Sequence, residues 1–374
     1  MSETRAPERF EDFLLKPLED DTLCLQRYTG REKTPLVPAR VEGMAVTRIG
    51  DGCFDSNADV ERLRLPEGLL SVGREAFRHC SALSEVLLPQ SLESLGEGAF
   101  RESALRRAVL PERLEAVPPR CFRGCERLEE VQLPENLWRV GEEAFMGCER
   151  LLGIELPRGV EELGRRAFAF SGLARAALPE GMLRVGAQAF AYCTRLLQLS
   201  LPEGLEALES EAALGCIQLE SVALPGSLVE VGVNPFRFCT HLKQIQVDED
   251  HPEFVVQDGG LFQRRTRRLI CCAAGRTETG FAFPQGLLEV DDYAFAGCRS
   301  LKRLRLPRGV ERIGEGAFRW CGELERVTLP DSVRFIGMGA FRNCKRLQYV
   351  QVAKDSRAHQ LLKEARVPCL AEER

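Results

Sequence analysis

Hydrophobic positions recur along this chain in a fixed order: a pair alternating with polar residues, a proline, two more aliphatic residues, a glycine and an Ala-Phe step. Phe stands at 54, 77, 100, 122, 145, 168 and 190, then at 236, 295, 318 and 341, with Ala213 in the one missing place. Apart from the interval 236 to 295, the spacing is always 22 or 23, which is 228 residues over ten intervals. That period is too short for ankyrin or tetratricopeptide repeats, at about 33 and 34 residues. The unit reads Leu-x-x-Val-x-Leu-Pro-x-x-Leu-x-x-Ile-Gly-x-x-Ala-Phe-x-x-Cys, as from Leu324 to Cys344.

Each part of the unit has a physical reading. Val86 and Leu88 alternate with Glu85 and Leu87, which predicts a strand with one buried face. Pro89 lacks the N–H for a ladder bond and ends that strand. Leu92 and Leu95 predict a second short extended segment, and Gly96 a tight corner. Pro118, Glu209 and Asp291 occupy the corner elsewhere, so a positive φ is not obligatory there and glycine serves close packing. Gly98-Ala99-Phe100 suits a single helical turn that drops each Phe into the core, where successive rings stack along the axis.

Composition narrows the class. The chain has 374 residues, 44% hydrophobic and 29% charged, enough for a large core and too little biased for disorder. No run approaches the roughly 18 apolar residues of a spanning helix, so no membrane insertion is expected. Met1 to Asp21 mixes charges with Phe10, Phe13 and Leu14 and does not read as a secretory leader. Lys+Arg is 51 against Asp+Glu 56, a net charge of -5, which argues against nucleic acid as partner. Nine of the fifteen cysteines share the slot after Phe, which Ser103, Ser171 and Asn57 fill elsewhere. A slot open to Ser and Asn does not depend on disulfides, so the thiols read as reduced and the protein as cytoplasmic.

The period lies in the leucine-rich repeat range of roughly 20–29, and the Ile-Gly-x-x-Ala-Phe-x-x-Cys pattern closely resembles the BspA-type leucine-rich repeat family over almost the whole chain. The resemblance includes the shortened variant at Phe100 to Leu105 and Phe168 to Leu173. It includes the long insertion Val247 to Pro284, with His251-Pro252-Glu253-Phe254 and Asp258-Gly259-Gly260-Leu261-Phe262. It implies a repeat solenoid with a parallel β-sheet on one face and short helical turns or loops on the other. The expected parts are an N-terminal β-hairpin cap (1–37), repeats (38–247), the extended insertion (248–283), repeats again (284–352) and a C-terminal helical cap and tail (353–374). It implies adhesion or protein-binding roles only loosely, in members that are often exported.

The search for chemistry finds no metal site, cofactor or catalytic constellation. His79, His241, His251 and His359 are far apart in repeat register and read as loop or solvated residues. Cys271-Cys272 and the Cys121, Cys125 pair could bind a soft metal or act as a redox couple. Core substitution explains Cys121 better, and one of two adjacent strand residues, Cys271 or Cys272, must point outward.

Twelve repeats about 4.8 Å apart give one continuous ladder on the order of 55 Å long. Its outward positions are small and neutral in the middle and basic near the ends, with Arg62 and Arg64 early and Arg303, Arg305 and Arg326 late, next to Tyr349. These six are the candidate binding residues. Arg264, Arg265, Arg267 and Arg268 form a dense basic run at a hairpin tip and are a secondary contact candidate. The expectation is a non-enzymatic protein-binding scaffold, a monomer or weak dimer, whose partner is a protein of acidic character. Two alternatives stand beside it: a thiol-based redox or metal sensor, and an exported adhesin or host-directed effector using a signal-independent route.

Overall fold

A computed structural model describes residues 8–373, in two compact units, Met1–Met182 and Leu183–Arg374. Residues 1–7 and 374, where the expected N-terminal cap begins and the C-terminal tail ends, lie outside the described residues.

The first unit opens with an antiparallel meander, Glu8–Phe10, Phe13–Pro17 and Leu23–Tyr28. Leu23–Tyr28 then pairs in parallel with Met44–Ile49 and so starts the repeat ladder. Each following repeat supplies a three-residue strand with its middle residue buried, such as Arg62–Arg64 and Glu85–Leu87. After the proline comes a two-residue strand, such as Ser71–Val72 and Ser94–Leu95, which builds a second parallel ladder. Between the ladders the phenylalanine rings stack from Phe54 to Phe168, centroids 5.1 to 5.5 Å apart. Ring stacking along the axis, expected from the 23-residue period, is the core of the unit.

The segment that carries Phe is not a helical turn. Ala99 N–H donates to Gly96 O at 3.2 Å and Ser103 N–H to Phe100 O at 3.1 Å, two successive β-turns. Each has its third residue in the left-handed region: Gly98 at φ 64° and Glu102 at 57°, then Arg120 at 58° and Gly124 at 72° in the next repeat. A helix would run its hydrogen bonds within the segment, whereas here alternate N–H groups reach the following repeat. Glu75, Phe77 and His79 donate to Glu97, Ala99 and Arg101 at 2.9, 2.8 and 2.9 Å. These inter-repeat bonds offset the cost of the left-handed residues. The corner glycine works by close approach: a Cβ on Gly96 would lie 2.4 Å from Arg74 N and Gly73 C.

The three-residue strands do not form the single continuous ladder expected. In the first unit they run from Arg62–Arg64 through Glu85–Leu87 and Arg107–Val109 to Glu130–Gln132. Only Arg107↔Glu85 pairs at the second step, where the shortened Phe100 to Leu105 segment lies between the strands; the row stays in register but the pairing is reduced. The following repeat combines a glycine in the strand with the second shortened segment, and pairing is lost. No backbone hydrogen bond is formed by Gly153, Ile154, Glu155 or Leu156 among the described residues. Glycine loses more freedom on ordering than any other residue and weakens a strand interior. A Cβ on Gly153 would meet nothing within 4 Å. Gly153→Thr should therefore raise stability by about 0.5–1 kcal/mol, read as a higher urea midpoint at unchanged m; a lower midpoint would reject this account of the gap.

In the second unit, Ser221–Ala223 pairs with Gln244–Gln246, and the long insertion follows as another antiparallel meander, Phe254–Gln257, Gly260–Gln263 and Arg268–Cys272. Arg268–Cys272 then pairs in parallel with Glu289–Val290, repeating the device that opens the first unit. The final ladder runs Arg303–Arg305, Arg326–Thr328, Tyr349–Ala353, Cys369–Glu372. Between its last two strands lies the helix Arg357–Glu364, capped by the Ser356 hydroxyl, which accepts from His359 N–H at 3.2 Å. No helix among the described residues is long and apolar enough to cross a membrane.

Two histidines depart from the solvated placement expected. His251 is buried, its Nε2 3.0 Å from Pro225 O and its Nδ1 accepting from Glu253 and Phe254 N–H. His359 is buried on the inner face of the C-terminal helix. Both ends of the His251 ring satisfy backbone groups, a packing role that linear spacing does not reveal.

Candidate binding surface

The late basic positions converge. The register sets Arg303 beside Arg326 and Arg326 beside Tyr349, with Arg305, Thr328 and Gln351 in the neighbouring row. Alternation along each strand turns these side chains away from the core, which Leu304 and Val327 fill. The Arg326 guanidinium lies 5.3 Å from the Tyr349 ring centroid, and its Nε donates to Gln348 Oε1 at 3.4 Å. Arg303 and Arg305 form no ion pair among the described residues. Like charges directly opposite on a sheet repel, so this row carries an uncompensated positive potential.

The early basic positions behave differently. In the first unit, Arg62, Glu85, Arg107 and Glu130 are neighbours in one outward row. Arg62 approaches Glu85 at 3.9 Å and Arg107 approaches Glu130 at 3.4 Å. The row neutralises itself. Arg64 lies in the parallel row with exposed Leu87 and Val109, and Leu36 bridges to it.

The basic tip divides in two. Arg264 donates from Nε to His251 O and Phe254 O at 3.1 and 3.2 Å, and from Nη2 to Glu249 O at 3.1 Å. Arg268 pairs with Asp291 at 3.2 Å and donates to Gln263 at 3.0 Å. Burial of Asp291 raises its carboxyl above the usual range, against the pull of Arg268. Arg264, Arg265 and Arg267 are exposed and in no ion pair among the described residues, but only Arg265 and Arg267 are also without a side-chain hydrogen bond there.

The cysteine slot has a hydrogen-bonding job. Cys80 Sγ lies 3.1 Å from Phe54 O, Cys125 Sγ 3.0 Å from Phe100 O, and Cys321 Sγ 3.1 Å from Phe295 O. In these repeats the thiol donates to the carbonyl of the phenylalanine one repeat earlier, and Ser103, in the same slot, lies within hydrogen-bond reach of Cys125 Sγ at 3.4 Å. Cys271 and Cys272 are both buried, against the expectation that one faces outward, because both faces of Arg268–Cys272 are covered. Burial pushes the Cys80 thiol up to about 12 and Cys125 up to about 11. A raised pKa withholds the thiolate that redox chemistry and metal binding need. Iodoacetamide at pH 8 should therefore label native protein at half-buried Cys24, Cys344 and Cys369 before any other site, and all fifteen cysteines only in denaturant. Rapid native labelling at Cys271 or Cys272 would restore the sensor reading.

Sequence reasoning missed Arg276, which is buried in the long insertion and pairs with Asp258 at 2.8 Å. It stands outside every repeat position, so no periodic signal marks it.

Several solved structures are similar to the chain. A leucine-rich cell surface protein from Faecalibacterium prausnitzii is 21% identical, with 96% of this chain and 98% of that one covered and a TM-score of 0.53. A leucine-rich repeat protein from Bacteroides ovatus is 20% identical, covering 98% and 100%, with a TM-score of 0.52. The pneumococcal vaccine antigen PcpA is 19% identical, covering 94% and 82%, with a TM-score of 0.53. At these identities the likeness establishes the fold. No curated protein sequence matches. The model of the BspA type leucine-rich repeat region matches in six copies, over residues 47–174, 166–255 and 275–360, and the chain belongs to that family.

Proposed function

We propose that this protein is a non-enzymatic protein-interaction scaffold that uses the outward row Arg303, Arg305, Arg326 and Tyr349 to hold an acidic protein partner. One observation carries the reading: Arg303 and Arg326 are neighbours with no carboxylate between them, whereas Arg62, Glu85, Arg107 and Glu130 alternate in sign. A partner carboxylate would relieve the repulsion and take a charge-assisted bond, with Tyr349 giving an aromatic anchor of the kind that concentrates binding energy. Arg62 and Arg64, and the free tip residues Arg265 and Arg267, are secondary contacts in this reading. The raised thiol pKa values weigh against the sensor alternative, and a thiol slot that serves as a hydrogen-bond donor supports residence in a reducing compartment, the cytoplasm.

The test is recovery of partners from the native cell with the wild type and with Arg303→Glu, Arg305→Glu, Arg326→Glu. The triple reversal should abolish recovery of the acidic partner while leaving stability nearly unchanged, since exposed charges contribute little to folding. Recovery should also fall with added salt. A partner retained through both the reversal and high salt would remove this face from consideration.

A further inference from the structure

The end of the β-turn ladder holds a second candidate site. In the final repeats, alternate N–H groups of each Phe segment donate to the next one: Tyr293, Phe295 and Gly297 to Glu315, Ala317 and Arg319 at 2.8, 2.8 and 2.9 Å. Gly316, Phe318 and Trp320 donate likewise to Met338, Ala340 and Arg342 at 3.1, 2.8 and 3.0 Å. Among the described residues, no Phe segment follows Gly337 to Cys344. The equivalent donors, the N–H groups of Gly339, Phe341 and Asn343, form no hydrogen bond among the described residues. The carbonyls of the same segment are already used by the preceding repeat.

Beyond these donors lies a cleft of ≈ 370 Å³, closed on its far side by Ala365–Pro368 as the chain returns from the helix. Gly339 and Phe341 line it, with Ile336, Leu347 and Val367 giving apolar walls. Arg342 and Arg366 also line it, neither is in an ion pair among the described residues, and no Asp or Glu lines it. The cleft thus offers N–H donors, two guanidinium groups and apolar surface, without a carboxylate to compete. Backbone N–H groups without a protein partner are open to an acceptor from outside the chain. The volume is at the low end of small-ligand sites, roughly 300–1,000 Å³.

We propose that this cleft binds a carboxylate on a short apolar body, in the form of a peptide C-terminus ending in a small aliphatic residue. The carboxylate would take Arg342 and Arg366. The preceding peptide carbonyl would accept from the Phe341 or Gly339 N–H, as the carbonyls Ala340 and Met338 accept from the repeat before. Capture of a C-terminal carboxylate and main-chain hydrogen bonding to an unpaired backbone edge are both established modes of peptide recognition.

Amide shifts of ¹⁵N-labelled full-length protein test this, with the probes N-acetyl-Ala-Val, its C-terminal amide, and 3-methylbutanoate. The acid peptide should shift the Gly339, Phe341 and Asn343 amides saturably and bind at least about tenfold more tightly than the amide form. Tighter binding of the peptide than of 3-methylbutanoate identifies a peptide end as the source; equal binding assigns the cleft to free small carboxylates and overturns the peptide assignment. Arg342→Gln with Arg366→Gln should weaken the acid peptide by a similar factor at unchanged melting temperature, since both side chains are exposed. No shift at these amides, equal affinity for acid and amide, or full affinity in the double variant would each overturn the proposal.

Discussion

Phe145→Ala is expected to destabilise the first unit by about 3–5 kcal/mol, the range for emptying a buried aromatic site. Phe145 has no exposed surface, and its ring lies 5.3 Å from both Phe122 and Phe168, tilted 6° and 4° from them. The substitution removes transfer free energy and two stacking contacts together. Relaxation is restricted, because the Phe145 N–H is fixed to Ala167 O at 2.8 Å and the repeat on each side is held by the same bonds. The chain contains its own comparison in Ala213. That site is fully buried, and Leu214 beside it is buried too, where most repeats put a polar or small residue. The fold thus accommodates one repeat without the ring, with an aliphatic neighbour beside it, and Phe145 has the half-buried Met146 in that place. Denaturant unfolding of Phe145→Ala checks the claim; a loss below about 1 kcal/mol would mean that the stacked rings are not the main support of the core.

What the sequence made legible was which positions the period buries and where it ends a strand. The Phe stack, the proline strand ends and the close-packed corner at Gly96 each arise from a position occupied some ten times over, so that chance substitution averages out. The conformation of the Phe segment was not legible, because Glu75, Glu102, Arg120 and Tyr192 sit at positive φ without the glycine that would announce it. There the inter-repeat hydrogen bonds, which a single repeat's sequence does not encode, override local preference. The gap at Gly153 was hidden for a related reason. A shortened segment alone does not break the ladder, as the Arg107↔Glu85 step shows, and the break falls where the strand itself carries Gly153. The basic row was legible as composition; its separation from the self-neutralising row of Arg62 and Glu85 needed the register, which decides whether an arginine faces a glutamate or another arginine.

Arg276 is the position where a single side chain is expected to matter most outside the repeat. Its Nη2 donates to Asp258 Oδ1 at 2.8 Å and its Nη1 to Gly280 O at 2.6 Å, while its guanidinium lies 5.2 Å from the Phe281 ring centroid. Asp258 Oδ2 accepts from Ala282 N–H at 2.7 Å, and Phe281 meets Phe295 edge-on at 4.9 Å. One buried cation therefore ties the Asp258-Gly259 turn of the meander to the segment that returns the chain to the Phe stack. Arg276→Met keeps much of the volume but leaves the Asp258 carboxylate and the Gly280 carbonyl without their donor. Removing one partner of a buried pair costs about 3–5 kcal/mol, because the other is left uncompensated. Asp258 is partly exposed, which places the expectation near the lower bound. The damage should be local as well as global: hydrogen exchange in Gly260–Gln263 should accelerate more than in Arg303–Arg305. Combining Arg276→Met with Asp258→Asn should restore part of the loss, since the only carboxylate then left without its partner is the exposed Glu278, and the size of that recovery measures the coupling. If Arg276→Met were nearly neutral, or if the double variant lost the sum of the two single losses, the ion pair would not be what holds the insertion to the repeats.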